Sequence, residues 1–117
     1  MNATTRLFIA IALTTALALF ILWGTLRPPG EGTSSLPIND KQIHALAFAI
    51  LVLPISVAMP SLIVHVAVVA LIFGGVIELV QPTFGRNGEW SDLWADAIGV
   101  GIGILPGLWL KRGHNTG

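Results

Sequence analysis

Long apolar stretches separated by short polar segments dominate the sequence. Residues 7–26 carry no charged side chain. In a helix, a run of about 20 residues matches a hydrocarbon core about 30 Å thick. Arg6 and Arg27 flank this run, and Trp23 suits an interfacial position near its end. The pattern therefore predicts a first transmembrane helix at about residues 6–26.

A cleaved signal peptide is an alternative interpretation of this first run, because Ala16 and Ala18 could form a small-residue cleavage site. However, the run is long for the apolar part of a signal peptide, and further apolar runs follow it along the chain. We therefore expect residues 6–26 to form a transmembrane helix of the folded protein.

A second uncharged stretch, residues 42–77, is too long for a single crossing. Pro60 divides it, because proline suits the first turn of a new helix better than the middle of one. The pattern therefore predicts two further spans at about residues 40–58 and 61–81. Pro54 lies inside the first of them, where we expect a kink of the kind that bilayer helices tolerate.

A fourth apolar segment follows the polar loop at residues 82–90. Its first turn holds Asp92, an acid that complements the positive end of a helix dipole. The basic residues Lys111 and Arg112 follow its apolar part. The sequence therefore predicts a fourth span at about residues 91–110.

The composition supports a membrane protein and excludes several other classes. Of the 117 residues, 54% are hydrophobic and 10% are charged, whereas soluble domains carry about 25% charged residues. A formal net charge of zero argues against nucleic acid as a partner. The absence of cysteine excludes disulfides and thiolate metal sites. We predict one all-α, polytopic domain over residues 1–117, a four-helix antiparallel bundle whose partner is the lipid bilayer.

The charges of the loops decide the orientation of this bundle only weakly. The basic residues near the spans are Arg6, Lys111 and Arg112 on one side, and Arg27, Lys41 and Arg86 on the other. The positive-inside counts of the two sides are therefore equal. The basic pair near the C-terminus and the longer polar loop on the opposite side favour cytoplasmic termini in an inner cell membrane. The number of copies in an assembly does not follow from the sequence.

Most of the unusual polar residues lie where alternating topology brings three helix ends to one membrane face. They are Asp40, Lys41 and His44 in the second span, Glu78 and Gln81 in the third, Arg86 in the next loop, and Asp92 and Asp96 in the fourth. Their i, i+3 and i, i+4 spacings place them on shared helix faces. An acid at mid-bilayer costs roughly 2.5–3.5 kcal/mol. We therefore expect one polar pocket in which the acids face Lys41 and Arg86.

Three of these residues are the strongest candidates for function. His44, Glu78 and Asp96 lie about 5–8 Å inside their helix ends, which is too deep for a helix cap. Ionisable groups at such a depth in a membrane usually serve a function. An ion-pair network that only holds the helices together is the structural alternative. A further histidine, His65 in the third span, has no acid nearby in sequence and is expected to form an inter-helix hydrogen bond.

Small residues repeat at every fourth position of the fourth span. The repeat consists of Ala95, Gly99, Gly103 and Gly107. Such a stripe lets two helices approach closely, and helical geometry places Asp92 and Asp96 on the same face. In the third span, Gly74 lies on a similar line of small and polar residues. We therefore expect the stripe to pack against the third span.

The combination of these motifs resembles the VanZ-like family of small integral membrane proteins. The resemblance covers about residues 40–105, through Asp40-Lys41-x-x-His44, Glu78-x-x-Gln81, Gly85-Arg86 and Ser91-Asp92-x-x-x-Asp96-x-x-Gly99-x-x-x-Gly103. In that family the position of Asp96 is more usually Asn, so this chain adds a negative charge there. The resemblance implies a role in the cell envelope, since one family member is associated with low-level teicoplanin resistance. It implies no particular reaction.

The predicted pocket suits the binding of an envelope lipid or a lipid-linked headgroup. Lys41 and Arg86 would hold a phosphate or carboxylate, and the acids would accept hydrogen bonds from sugar or amine groups. A divalent-cation site is another possibility, because His, Glu and Asp are all metal ligands. The two basic residues would compete with the ion, so the sequence predicts no metal and no cofactor.

A membrane enzyme acting on a lipid-linked, phosphate-bearing substrate is the alternative function. Its candidate catalytic residues are His44, Glu78 and Asp92, which could transfer protons. The spacing Arg86-x5-Asp92-x3-Asp96 is similar to the third motif of PAP2-type membrane lipid phosphatases. However, Asp92 stands where those enzymes have a nucleophilic histidine, and their other motifs are missing here. The sequence therefore favours binding over catalysis.

Overall fold

The computed structural model describes residues 1–26, 40–84 and 90–116, and this part of the chain is all-helical. The α-helices are α1 (Ala3–Leu26), α2 (Asp40–Ala58), α3 (Ile63–Val80), α4 (Trp90–Gly103) and α5 (Leu105–Thr116). Short 3-10 helices at Pro60–Leu62 and Gln81–Phe84 flank α3. The predicted all-α class is therefore confirmed.

Four helical stretches within the described residues are long and apolar enough to cross a membrane. They are Ala3–Leu26, Lys41–Ala58, Pro60–Val80 and Ser91–Gly113. Each contains an 18-residue window of high hydropathy with at most two charged residues. The four stretches coincide with the four predicted spans to within a few residues at each end.

Prolines explain where one helix starts and where another breaks. Met59 leaves the helical region, with φ −146° and ψ 85°, and Pro60 opens the next helical turn.

The fourth span is interrupted at Ile104, a break that was not predicted from the sequence. Its cause is Pro106, which lacks an N–H and crowds the carbonyl four residues earlier. The helix nevertheless resumes and continues past the predicted end at residue 110 to residue 116, whereas Pro54 lies within an unbroken α2.

Helices α2 and α4 form the most extensive helix pair in the described structure. They run in the same direction, because residues near the start of α2 meet residues near the start of α4 and later residues meet later ones. The buried apolar core is built mainly around α2. It consists of Ile21, Phe48, Leu51, Val52, Ala70, Ile77 and Val100.

The stripe of small residues packs against α2, so the prediction that it packs against the third span is wrong. A Cβ added at Gly99, Gly103 or Gly107 would lie under 3.0 Å from the carbonyl oxygen of Ala45, Ala49 or Ser56 respectively. The physical reason is that α2 also presents small side chains along this line, so the two backbones can meet. Helix α3 approaches α4 at a different place, where Gly74 faces Asp96.

The outer surface of the bundle is rich in large apolar side chains. Phe8, Leu79, Trp94 and Trp109 are 75%, 68%, 74% and 75% exposed. Soluble monomers rarely expose continuous apolar surface on this scale. His65 also lies exposed on this surface, so the predicted inter-helix hydrogen bond of that residue is wrong. The outside of the bundle therefore suits an apolar surrounding.

Candidate functional site

Three ionisable side chains from three helices meet inside one end of the bundle. They are His44 on α2, Glu78 on α3 and Asp96 on α4, and one ligand atom of each lies within 4.8 Å of the others. Glu78 and Asp96 are buried, and the side chain of His44 is 11% exposed. The structure thus brings together the three residues that the sequence analysis selected for their depth.

His44 lies between two acids of α4. Its Nδ1 atom is 2.9 Å from Oδ1 of Asp96, and its Nε2 atom is 3.8 Å from Oδ2 of Asp92. The spacing of these acids, one helical turn apart, places both on the face of α4 that meets α2. A protonated imidazole nitrogen can donate to a carboxylate, and an unprotonated one can accept from a carboxylic acid, so a proton can be shared between His44 and Asp96.

Lys41 extends these contacts to the surface. Its Nζ atom donates to Oδ1 of Asp92 over 3.3 Å, and its side chain is 48% exposed. Lys41, His44, Glu78, Asp92 and Asp96 are called the polar cluster below. In this cluster Lys41 and His44 both contact acids of α4, and these charges interact strongly because a buried site screens them poorly.

Gly74 makes room for the deepest acid. A Cβ at this position would lie 2.7 Å from Oδ2 of Asp96 and 3.4 Å from side-chain atoms of Phe48 and Leu93. The sequence predicts a helix-packing role for Gly74. In the structure its missing side chain also provides the space that the Asp96 carboxylate occupies between α3 and α4.

Gln81 connects the end of α3 to α1. Its Nε2 atom donates to the backbone oxygen of Thr25 over 3.1 Å, and the residue is 2% exposed. Gln81 was predicted to line the pocket, but its partner Thr25 was not predicted, because a backbone acceptor leaves no signal in the sequence. Arg86 was predicted for the pocket but lies outside the described residues, as does the side chain of Asp40.

A groove of about 380 Å³ opens on the outer surface between α2 and α4, beside the polar cluster. Its polar end is formed by Lys41, Gln42 and Ser91, and its apolar part by Ala45, Trp94, Ala95 and Ile98. This groove was not predicted from the sequence. The spacing of Ser91, Ala95 and Ile98 along one side of α4 was a signal for it. Lys41 belongs to both the groove and the polar cluster.

Comparisons of the chain with protein-family models, curated proteins and solved structures find no match. The resemblance to the VanZ-like family therefore stays a prediction from the motifs of the sequence. The features of the described structure that bear on function are the polar cluster and the groove beside it. These two features share Lys41, which links a buried acidic site to the outer surface.

Proposed function

We propose that this chain is an integral membrane protein of the cell envelope that binds a phosphate-bearing lipid or lipid-linked headgroup at one membrane face. The observation that carries the proposal is the groove between α2 and α4. One end of it is polar and basic, and the rest is apolar and open on the outer surface. This polarity matches an amphiphile whose headgroup lies at the membrane surface and whose chain lies along the protein.

Insertion in a membrane is supported by both the helices and the surface. Four described helical stretches have the length and hydropathy of transmembrane spans, and large apolar side chains cover their outer faces. Burial of that surface in lipid rather than water would stabilise the fold by about 25 cal/mol per Å² of apolar area. In the proposed arrangement neighbouring spans are antiparallel, so α2 and α4 run in the same direction.

The proposed orientation has both termini in the cytoplasm. Because the chain contains no cysteine, single cysteines can be labelled without background. We expect Asn2→Cys to react with an impermeant thiol reagent only after the cells are opened, and Ser35→Cys to react in intact cells. The reverse pattern would show the opposite orientation and place the groove on the cytoplasmic side.

The groove is suited to a single acyl chain. Ser91 at its polar end and Ile98 in its apolar part are seven residues apart on one helix, which corresponds to about 10 Å of depth. Lys41 supplies a half-exposed ammonium with three donors at the polar end. A phosphate oxygen can therefore bind Lys41 while the chain contacts Trp94 and Ile98.

Native mass spectrometry in detergent with added phosphatidylglycerol tests this site. We expect Lys41→Met and Ile98→Ser each to reduce lipid retention. The matched controls are Lys111→Met, an exposed cation on α5, and Ile102→Ser, an exposed isoleucine one turn further along α4. Equal retention in the four variants would count decisively against the groove. Retention of a neutral diacylglycerol as well as phosphatidylglycerol would show that the headgroup phosphate is not recognised.

The VanZ-like resemblance adds a link to glycopeptide resistance or envelope homeostasis. If that link holds, expression of the chain should raise the teicoplanin concentration that a susceptible host tolerates, and Lys41→Met should lower that tolerance. Lys111→Met again serves as the control. If tolerance does not change although the normal amount of protein is in the membrane, the chain does not confer resistance. Lipid binding would then be independent of resistance.

An enzymatic function is a second candidate, favoured by the position of His44 between two acids. Such an arrangement can hold and transfer a proton. Release of phosphate or headgroup from a lipid-linked substrate by purified protein, lost in His44→Gln, would establish it. No release under conditions where the lipid is retained would leave binding as the function.

A further inference from the structure

We propose that His44, Glu78 and Asp96 bind one divalent transition-metal ion, and that Zn²⁺ is the metal that fits them best. The three residues come from α2, α3 and α4, so a bound ion would connect three helices. This metal site lies inside the bundle, whereas the groove lies on its surface. The proposal therefore does not depend on lipid binding.

The donor set and its spacing match a zinc site. Zinc is bound by histidine nitrogen and carboxylate oxygen at about 2.0–2.2 Å, so neighbouring ligand atoms lie about 3–4 Å apart. Here the ligand atoms lie within 4.8 Å of one another, and small side-chain rotations would close them around an ion. One nitrogen and two carboxylates leave a fourth position for water or substrate. Calcium prefers 6–8 oxygen ligands, so this set suits it poorly.

The surroundings of His44 resemble those of a metal-bound histidine. The nitrogen that does not bind the metal normally donates to a carboxylate, which orients the ring. When Nδ1 of His44 faces the ion together with Asp96, Nε2 faces Oδ2 of Asp92 at 3.8 Å, and a small shift would bring this pair to hydrogen-bond distance. Lys41 contacts that same Asp92. Its ammonium therefore lies beside the orienting acid and not among the three ligands. The predicted competition between Lys41 and a cation does not apply at this site.

The space beside Gly74 determines where one of the proposed ligands lies. Any side chain at residue 74 would clash with the Asp96 carboxylate, because a Cβ there would lie 2.7 Å from Oδ2. The backbone of α3 is thus shaped to admit this oxygen next to Glu78, one turn away on the same helix. A divalent ion bound here would be coordinated by both carboxylates.

Zinc binding by the full-length, tag-free protein in detergent tests the site. After removal of metal with EDTA, titration calorimetry and elemental analysis should give one Zn²⁺ per chain. We expect His44→Gln and Asp96→Asn to lose this stoichiometric zinc. Asp92→Asn keeps every proposed ligand, and loss of an orienting carboxylate should weaken binding about 10- to 100-fold. The control is His65→Gln, which changes an exposed histidine of α3 and should bind zinc as the wild type does.

Two further measurements keep the test decisive when a ligand variant fails to fold, as judged by circular dichroism. Gly74→Ala should weaken zinc binding without removing a ligand, whereas Gly75→Ala, whose Cβ would meet nothing within 4 Å, should not. Cobalt-loaded wild type should show visible absorption bands of a four-coordinate site. The proposal is overturned when the wild type retains no stoichiometric zinc, or when His44→Gln and His65→Gln bind it equally.

Discussion

The two ends of the interface between α2 and α4 are held together by different chemistry. At the first end, His44 and Lys41 of α2 contact Asp96 and Asp92 of α4. At the other end, Gly99 and Gly103 lie against the backbone of Ala45 and Ala49, and no charged pair is described there. The glycine end depends on the absence of side-chain atoms, whereas the polar end depends on both partners of each pair. The glycines therefore set the short helix separation at which the charged side chains can meet.

The largest effect is expected at the polar end when one partner of a buried pair is removed. His44→Ala should destabilise the protein by about 3–5 kcal/mol, because Asp96 would stay buried without its hydrogen-bond partner. Chemical unfolding in detergent, followed by circular dichroism, measures this change. In a double-mutant cycle with Asp96→Ala we expect a coupling energy of about 0.5–3 kcal/mol. Full additivity of the two substitutions would show that the pair does not hold the helices together.

The glycine end should respond to a single added methyl group. Gly99→Ala would place a Cβ against the backbone oxygen of Ala45, and such overpacking costs about 1–3 kcal/mol. Gly101→Ala on the same helix meets nothing within 4 Å. Its stability should stay within about 0.5 kcal/mol of wild type. Thermal unfolding of both variants checks the difference, and equal midpoints would contradict the close packing of α2 and α4.

A smaller effect is expected where α1 joins the polar end. Gln81→Leu removes the donor to the Thr25 backbone oxygen, and inter-helix hydrogen bonds in membranes contribute about 0.6 kcal/mol on average. Thr25→Val is the matched control, because it leaves that backbone acceptor in place. Unfolding measurements should show a loss for Gln81→Leu beyond that of the control. A larger loss for Thr25→Val would mean that the local hydroxyl contacts of Thr25 matter more.

The smallest effect on stability should come from the exposed edge of the polar end. Lys41→Met breaks an ion pair whose lysine is 48% exposed, and such pairs contribute about 0–1 kcal/mol. The same variant is expected to lose lipid retention, so stability and binding should separate at this residue. Unfolding and native mass spectrometry on one preparation measure both. If Lys41→Met lost as much stability as His44→Ala, Lys41 would be needed to hold the fold together.

Much of the candidate site could be predicted from helical spacing alone. The depth of His44, Glu78 and Asp96 and their places on the helices are properties of the local sequence, and the structure brings these three together. The part played by Gly74 could not be predicted, since it depends on where the carboxylate of another helix lies. The groove was missed for the same reason, because two separate helices form its walls.

The sequence by itself determined the four long apolar stretches and the class of the fold. It did so because charge-free length and proline position act locally along the chain. Only the tertiary structure decided that the glycine stripe faces α2 and that Gly74 makes room for Asp96. Periodicity shows which side of a helix is small or polar. Which neighbour covers that side depends on the surfaces of all the other helices, and Ala45 and Ala49 of α2 offered the closer fit.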